Sequence, residues 1–307
     1  MNQAKQDDAM PPLLPETIAR AREGLAAAKD ADARRSVRDA LEGTGAGARG
    51  VFEPKISGEE RRRVLRTIIR TLFRLKVEYL ERIPNTPAIL APNHLSHIDP
   101  FLILSEIPAQ PFYHILGDAR TLFNKWWKRQ VLRLAGGVIP LDRWWKEELA
   151  VINGVGGPED LAELAAAIAR DVPDGTKIEK LRQIDRIVQA IFARRDGIIL
   201  FPEGRLGNAE GQIHLPLKRG AAIYALRAGV PIVPVGIIGT KDLYFRKELT
   251  LRFGYPLTFP QSHRPKPSEV QAVLDELQAS LMALLPKNYT EPDEIKLGRN
   301  FLNRMLW

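Results

Sequence analysis

Short apolar runs alternate with stretches of helical periodicity from residue 75 to residue 285, and no other property constrains the fold as much. Residues 75–80, 88–91, 112–116, 138–141, 198–201, 232–237 and 249–253 are of strand length, several of them bounded by Gly or Pro. Residues 100–106, 122–134, 178–193, 217–228 and 268–285 carry helical spacing, the last opening on the box Ser268-x-x-Gln271. Strand and helix in alternation predict an α/β fold, a mixed sheet flanked by helices. Ahead of it, residues 1–41 are rich in Ala, Arg and Asp but poor in large apolar side chains, which predicts two weakly packed helices. A Gly-rich linker follows. The expected division is a helical N-terminal extension over 1–56, a main domain over 57–286, and a basic, aromatic tail over 287–307. That tail sets Phe301, Leu302, Met305, Leu306 and Trp307 beside Arg299 and Arg304, and is expected to dock on lipid or on the domain itself.

At 307 residues with 45% hydrophobic content the chain can bury a sizeable core. The absence of cysteine excludes disulfides and thiol catalysis. A net charge of +8 favours an acidic partner: anionic lipid headgroups, an acidic carrier protein or nucleic acid. The acidic, non-apolar start is not expected to act as a secretory signal. The best candidate membrane span, residues 221–240, contains Arg227 and two prolines and reads instead as a helix followed by a buried strand.

Ser57 and Glu60 form a capping box for a helix whose Val64, Leu65, Ile68, Ile69, Leu72 and Phe73 are expected to make one continuous apolar face. Arg61, Arg62, Arg63, Arg66, Arg70 and Arg74 supply its flanks and far side. Such a helix fits the interface of an anionic bilayer, or packs its stripe on the core like an ordinary surface helix. Trp126-Trp127-Lys128-Arg129 and Arg143-Trp144-Trp145-Lys146 pair indoles with cations, as an interfacial belt does. The same ingredients stack on single-stranded nucleic acid, but no nucleic-acid motif accompanies them, so no nucleic-acid partner is expected. Membrane contact is assigned to Arg62, Arg66, Arg70, Trp126, Trp127, Trp144 and Trp145.

The chemistry is expected just behind the run 88–91, in Asn93-His94-x-Ser96-x-x-Asp99. If the chain turns back there as a helix starts, the carboxylate of Asp99 fixes the imidazole tautomer of His94. The free ring nitrogen then takes a proton from an incoming hydroxyl. Asn93 and Ser96 lie in the same turn and brace it. Phe201-Pro202-Glu203-Gly204 ends an apolar run. Gly204 allows close backbone approach, Glu203 accepts hydrogen bonds from substrate hydroxyls or pins an Arg, and Arg205 adds a cation. Lys218 opens the next helix, where backbone amides favour an anion. His94, His97 and Asp99 do not have convincing metal-ligand spacing and His114, His214 and His263 are scattered, so no metal is expected.

With Gly137-Val138-Ile139-Pro140-Leu141-Asp142-Arg143 and Val230-Pro231-Ile232-Val233-Pro234-Val235, these blocks resemble, in order and spacing, the four motifs of the glycerolipid (lysophosphatidate-type) acyltransferase family. The resemblance spans about residues 77–259, and Glu147 to Thr176 then reads as an insertion near 147–176. It implies direct acyl transfer from acyl-CoA or acyl-carrier protein to the hydroxyl of lysophosphatidate, with no other cofactor. His94 would be the base and Asp99 its orienting partner. Asn93, Ser96, Arg143, Glu203, Gly204, Arg205 and Lys218 would serve the substrate, Arg143 by binding the glycerol phosphate. A peripheral enzyme on the inner face of the cell membrane is the implied setting. Where the family has Thr and then Arg after Phe-Pro-Glu-Gly, this chain has Arg205-Leu206, which leaves glycerol 3-phosphate or another lysophospholipid open as acceptor. A non-catalytic lipid-binding protein of the same fold is the alternative of another class, and the intact His94/Asp99 pair argues against it.

Overall fold

The computed structural model describes residues 10–42, 56–142, 144–154, 159–173 and 178–306, without the side chains of 127, 133–135, 159–160, 178–180 and 306. Its strands are β1 (Arg74–Glu78), β2 (Ile89–Pro92), β3 (Tyr113–Asp118), β4 (Val138–Leu141), β5 (Gly197–Leu200), β6 (Ile232–Ile238) and β7 (Glu248–Phe253). They are ordered β1-β7-β6-β2-β5-β3-β4 in one sheet. Pairs β1/β7, β2/β5 and β2/β6 are parallel and β6/β7 is antiparallel, so the sheet is mixed as expected.

The central strands β2 and β6 are apolar almost throughout, because a central parallel strand is covered on both faces. Both nevertheless carry proline, side by side, with Ala91 opposite Pro234 and Pro92 opposite Val235. Proline cannot donate to the ladder. Asn93 makes up for this where β2 ends. Its backbone N–H donates to Val235 O at 3.3 Å, its Nδ2 donates to Ile237 O at 2.9 Å, and Ile237 N–H donates to its Oδ1 at 2.6 Å. The amide side chain thus continues the strand by one rung, and so the chain leaves the sheet at a fixed point.

The chain forms two compact units, 1–55 with 116–187 and 56–115 with 188–307. In the first, the helices Pro15–Lys29 and Ala31–Leu41 are not a weakly packed extension. Ala21 and Ala28 share a core with Val151, Leu164, Ile168 and Val172. Small residues on the Pro15–Lys29 helix let its neighbours come close, and the segment expected to be an insertion supplies the large apolar groups that the alanines lack. The helix expected over 122–134 is two, Ala119–Phe123 and Trp126–Ala135.

In the second unit the Gly58–Leu72 helix starts on the expected capping box, Glu60 N–H to Ser57 Oγ at 3.1 Å and Ser57 N–H to Glu60 Oε2 at 2.9 Å. Its apolar residues do not form one face. Leu65, Ile69 and Phe73 are buried, whereas Val64 is 53% and Ile68 49% exposed. The buried stripe is completed by Arg61, whose Nη1 donates to Tyr113 O at 3.1 Å and whose guanidinium lies 3.7 Å from the Phe112 ring centroid. Burial pulls the pKa of Arg61 down to about 10. Arg66 and Arg70 turn to the buried carboxylate of Glu106, Arg70 with two hydrogen bonds of 2.9 Å. The Pro267–Leu284 helix is capped by Glu269, which accepts from Lys266 N–H at 2.5 Å, and not by the Ser268/Gln271 box. The C-terminal segment docks on its own unit: Arg299 and Lys296 pair with Asp242, Asn303 brackets the backbone of Leu243, and Leu302 is buried. Among the described residues no helix is long and apolar enough to cross a membrane.

Candidate active site

From Asn93 the chain turns through His94 to Ile98 into the helix Asp99–Glu106. Asp99 is fully buried, and its Oδ2 accepts three hydrogen bonds: Leu95 N–H at 2.7 Å, Ser96 N–H at 2.9 Å and His94 Nδ1 at 2.9 Å. The first two fold the turn around the carboxylate; the third fixes the ring. Because a carboxylate oxygen only accepts, Nδ1 carries the proton and Nε2 keeps its lone pair. The ring also stacks on Phe201, with centroids 4.0 Å apart and planes at 31°. The His94 side chain stays 16% exposed, so a reactant can reach it. This is the arrangement of a general base with an orienting acid.

A second buried carboxylate holds the same turn from behind. Glu203, 1% exposed, accepts His94 N–H on Oε1 at 2.7 Å and His214 N–H on Oε2 at 2.5 Å. Burial pushes its carboxyl up to about 7, against the two N–H groups that favour the ionised form. The loop between them is tied down on both sides. Gly207 N–H donates to His94 O at 2.6 Å, Lys241 Nζ donates to Gly207 O at 3.0 Å, and Glu210 accepts from Gly239 and Lys241 N–H at 2.9 and 2.8 Å. Gly204 sits at φ 67°, and a Cβ there would meet the Lys218 stem at 2.9 Å. Arg205 Nη2 lies 2.5 Å from His214 Nδ1. Among the described residues no group of three or more His, Asp or Glu side chains is placed to hold a metal ion.

A family model described as Acyltransferase matches residues 74–238, from β1 through β6 and so across His94, Asp99, Glu203, Arg205, His214 and Lys218. The chain belongs to the acyltransferase family. Sheep 1-acyl-sn-glycerol-3-phosphate acyltransferase alpha is 30% identical over 112 residues, covering 35% of this chain and 38% of that one. The human enzyme of that name is 29% identical over 112 residues, 35% and 39% of the two chains. The chain thus spans about two fifths of the length of the curated relatives it matches. The crystal structure of the 1-acyl-sn-glycerophosphate (LPA) acyltransferase from Thermotoga maritima aligns with a TM-score of 0.47 at 18% identity, over 76% of this chain and 81% of that one.

Within this acyltransferase the structure redistributes the residues singled out in the sequence. His94 and Asp99 meet, and Ser96 braces the turn, its N–H on Asp99 and its Oγ accepting from Ile98 N–H at 3.5 Å. Asn93 positions the turn, and only the substrate contact assigned to it is corrected: it is fully buried with its amide spent on Ile237 and is closed to substrate. Glu203 is a second correction, because at 1% exposure its oxygens hold backbone and are closed to a substrate hydroxyl. Lys218 is exposed beside Gly204, and Arg205 is half-buried. Arg143 and the side chain of Trp127 lie outside the described residues. Trp126 is 72% exposed. Trp144 and Trp145, by contrast, are engaged inside the first unit: Trp144 Nε1 donates to Val172 O and Trp145 Nε1 to Asp118 Oδ2, both at 3.2 Å. His214 and the stacking role of Phe201 were not anticipated. Phe201 was visible only as the first letter of its motif, and His214 looked like a scattered histidine because its link to the site runs through Glu203.

Proposed function

We propose that this protein transfers an acyl chain from an acyl-CoA or acyl-carrier-protein thioester to the hydroxyl of lysophosphatidate, giving phosphatidate. The observation that carries this reading is the 2.9 Å contact from His94 Nδ1 to Asp99 Oδ2, which leaves Nε2 as the basic atom of a ring that is 16% exposed. The relatives named for acylating 1-acyl-sn-glycerol 3-phosphate supply the acceptor. His94 Nε2 takes the hydroxyl proton as the oxygen attacks the thioester carbonyl, and Asp99 stabilises the imidazolium that forms. The tetrahedral oxyanion collapses, the C–S bond breaks, and the departing thiolate receives the proton from His94. No acyl-enzyme forms. Arg205 and Lys218 hold the acceptor's phosphate.

The enzyme works peripherally on the anionic inner face of the cell membrane, on the cytoplasmic side. Because Arg66 and Arg70 are drawn to Glu106, the lipid-facing row of the Gly58–Leu72 helix is Arg63, Val64, Thr67 and Ile68, with Arg62 at its edge. The Thr67 hydroxyl donates to Arg63 O at 2.9 Å, so the row shows lipid its methyl and hides its polar atom. Trp126 is a further contact. Val64→Asp with Ile68→Asp should release the protein from anionic vesicles in a sedimentation assay; full sedimentation would move the contact elsewhere. The reaction itself is tested by product analysis of purified protein given acyl-CoA or acyl-carrier protein and a panel of lysophosphatidate, glycerol 3-phosphate and other lysophospholipids. Phosphatidate from lysophosphatidate is the expected product. Transfer confined to another acceptor would overturn the acceptor, and no transfer to any would overturn the reaction.

A further inference from the structure

His214 lies eleven residues beyond Glu203, yet one carboxylate joins its backbone to that of His94, through Oε2 at 2.5 Å and Oε1 at 2.7 Å. That bridge fixes where the His214 ring starts. At its other end, Nδ1 meets Arg205 Nη2 at 2.5 Å. A guanidinium only donates, so Nδ1 of His214 must be the lone-pair nitrogen and its proton sits on Nε2. The ring is therefore an acceptor aimed at a long cationic side chain. Ordering a long Arg side chain costs rotamer entropy, and a holder that accepts from it removes part of that cost before a ligand arrives. The fork of a guanidinium suits a phosphate. Arg205 is also where this chain departs from the family motif.

We propose that His214 is a positioning residue that holds Arg205 for the phosphate of the acceptor, and so sets this acyltransferase's selectivity for a phosphorylated acceptor over a neutral one. The proposal rests on the reaction proposed above, and its test separates the two by measuring binding without turnover. In a His94→Ala background, lysophosphatidate and monoacylglycerol are titrated calorimetrically into the protein with His214 intact, His214→Ala, His214→Asn, Arg205→Ala and the Arg205→Ala/His214→Ala pair. The backbone N–H that Glu203 holds survives in every variant, so only the ring is removed. His214→Ala should weaken lysophosphatidate about tenfold, the size of one charge-assisted hydrogen bond. Monoacylglycerol should be unaffected. His214→Asn, whose amide oxygen can accept from the guanidinium, should recover most of the loss, and the pair should bind no worse than Arg205→Ala alone. Equal weakening of both ligands, or additive losses in the pair, would overturn the proposal and leave His214 as a packing residue. If no acyl transfer occurs in the wild type but the binding pattern holds, the reaction is wrong and the anion site stands.

Discussion

Charged side chains are buried both in the turn around His94 and beside Trp145, and the two places use burial for opposite ends. In the first unit Arg120 and Glu148 face each other through paired contacts, Nη1 to Oε1 and Nη2 to Oε2 at 3.0 Å. Glu148 also accepts Trp145 N–H at 2.7 Å, and the Trp145 ring lies 4.5 Å from the Arg120 guanidinium. Each charge there is answered by another, and the cluster is closed. Around His94 the buried acids, Asp99 and Glu203, are answered mostly by backbone N–H groups. Their hydrogen bonds end on one imidazole whose Nε2 has no hydrogen-bond partner among the described residues. Charges that answer one another make a scaffold; acids that hold a turn and orient a basic ring make a site.

The sharpest way to break this contrast is to change one charged side chain in each place. Asp99→Asn keeps the size of the side chain but loses the carboxylate that fixes the tautomer. Turnover should fall by about 10²–10⁴ in protein that remains folded by circular dichroism. Arg120→Ala leaves the Glu148 carboxylate buried without its counter-charge, which costs about 3–5 kcal/mol of unfolding free energy in chemical denaturation. Turnover per folded molecule should be unchanged. If the two variants exchanged these signatures, the division into site and scaffold would be wrong.

A smaller effect sharpens the comparison within the site. Burial holds the Glu203 carboxyl at about 7, above the ordinary carboxylate range in which it titrates when unfolded. Over the interval between them the native protein binds the extra proton. Glu203's contribution to stability is therefore present in acid and declines as pH rises through about 7. The clamp on His94 and His214 works in the other direction, since it needs two accepting oxygens. Glu203→Gln abolishes this titration and turns an amide NH₂ toward one of the two N–H groups. The melting temperature of the variant minus that of the wild type should become more positive from about pH 6 to about pH 8. Turnover at about pH 8 should fall. A difference that stays flat across that range would show that Glu203 does not titrate there.

What the sequence revealed follows distance along the chain. The His94–Asp99 contact closes over five residues and the Ser57/Glu60 box over three, so both were legible from local spacing. Asn93 meets Ile237 across 144 residues and Glu203 meets His94 across 109, and both roles depend on the register of a sheet. Their residue types pointed to substrate, while their partners make them positioning groups. The apolar face over residues 64–73 was read as one because six apolar residues satisfy helical spacing. Arg61, with the Phe112 ring and Tyr113 carbonyl waiting for it, took a place in the buried stripe and turned Val64 and Ile68 outward. The Trp pair at 144–145 matched a membrane belt in composition, but composition does not show that Asp118 and the Val172 carbonyl are at hand to receive both indole N–H groups.

The central claim, that His94 is the base for acyl transfer, is tested most directly by turnover of His94→Ala with acyl-CoA and lysophosphatidate, beside its melting curve. The account predicts a loss of about 10²–10⁴ in rate with melting close to that of the wild type, because the ring is not what closes the turn: Asp99 still holds the N–H groups of Leu95 and Ser96. Near-normal turnover in folded His94→Ala protein would contradict it.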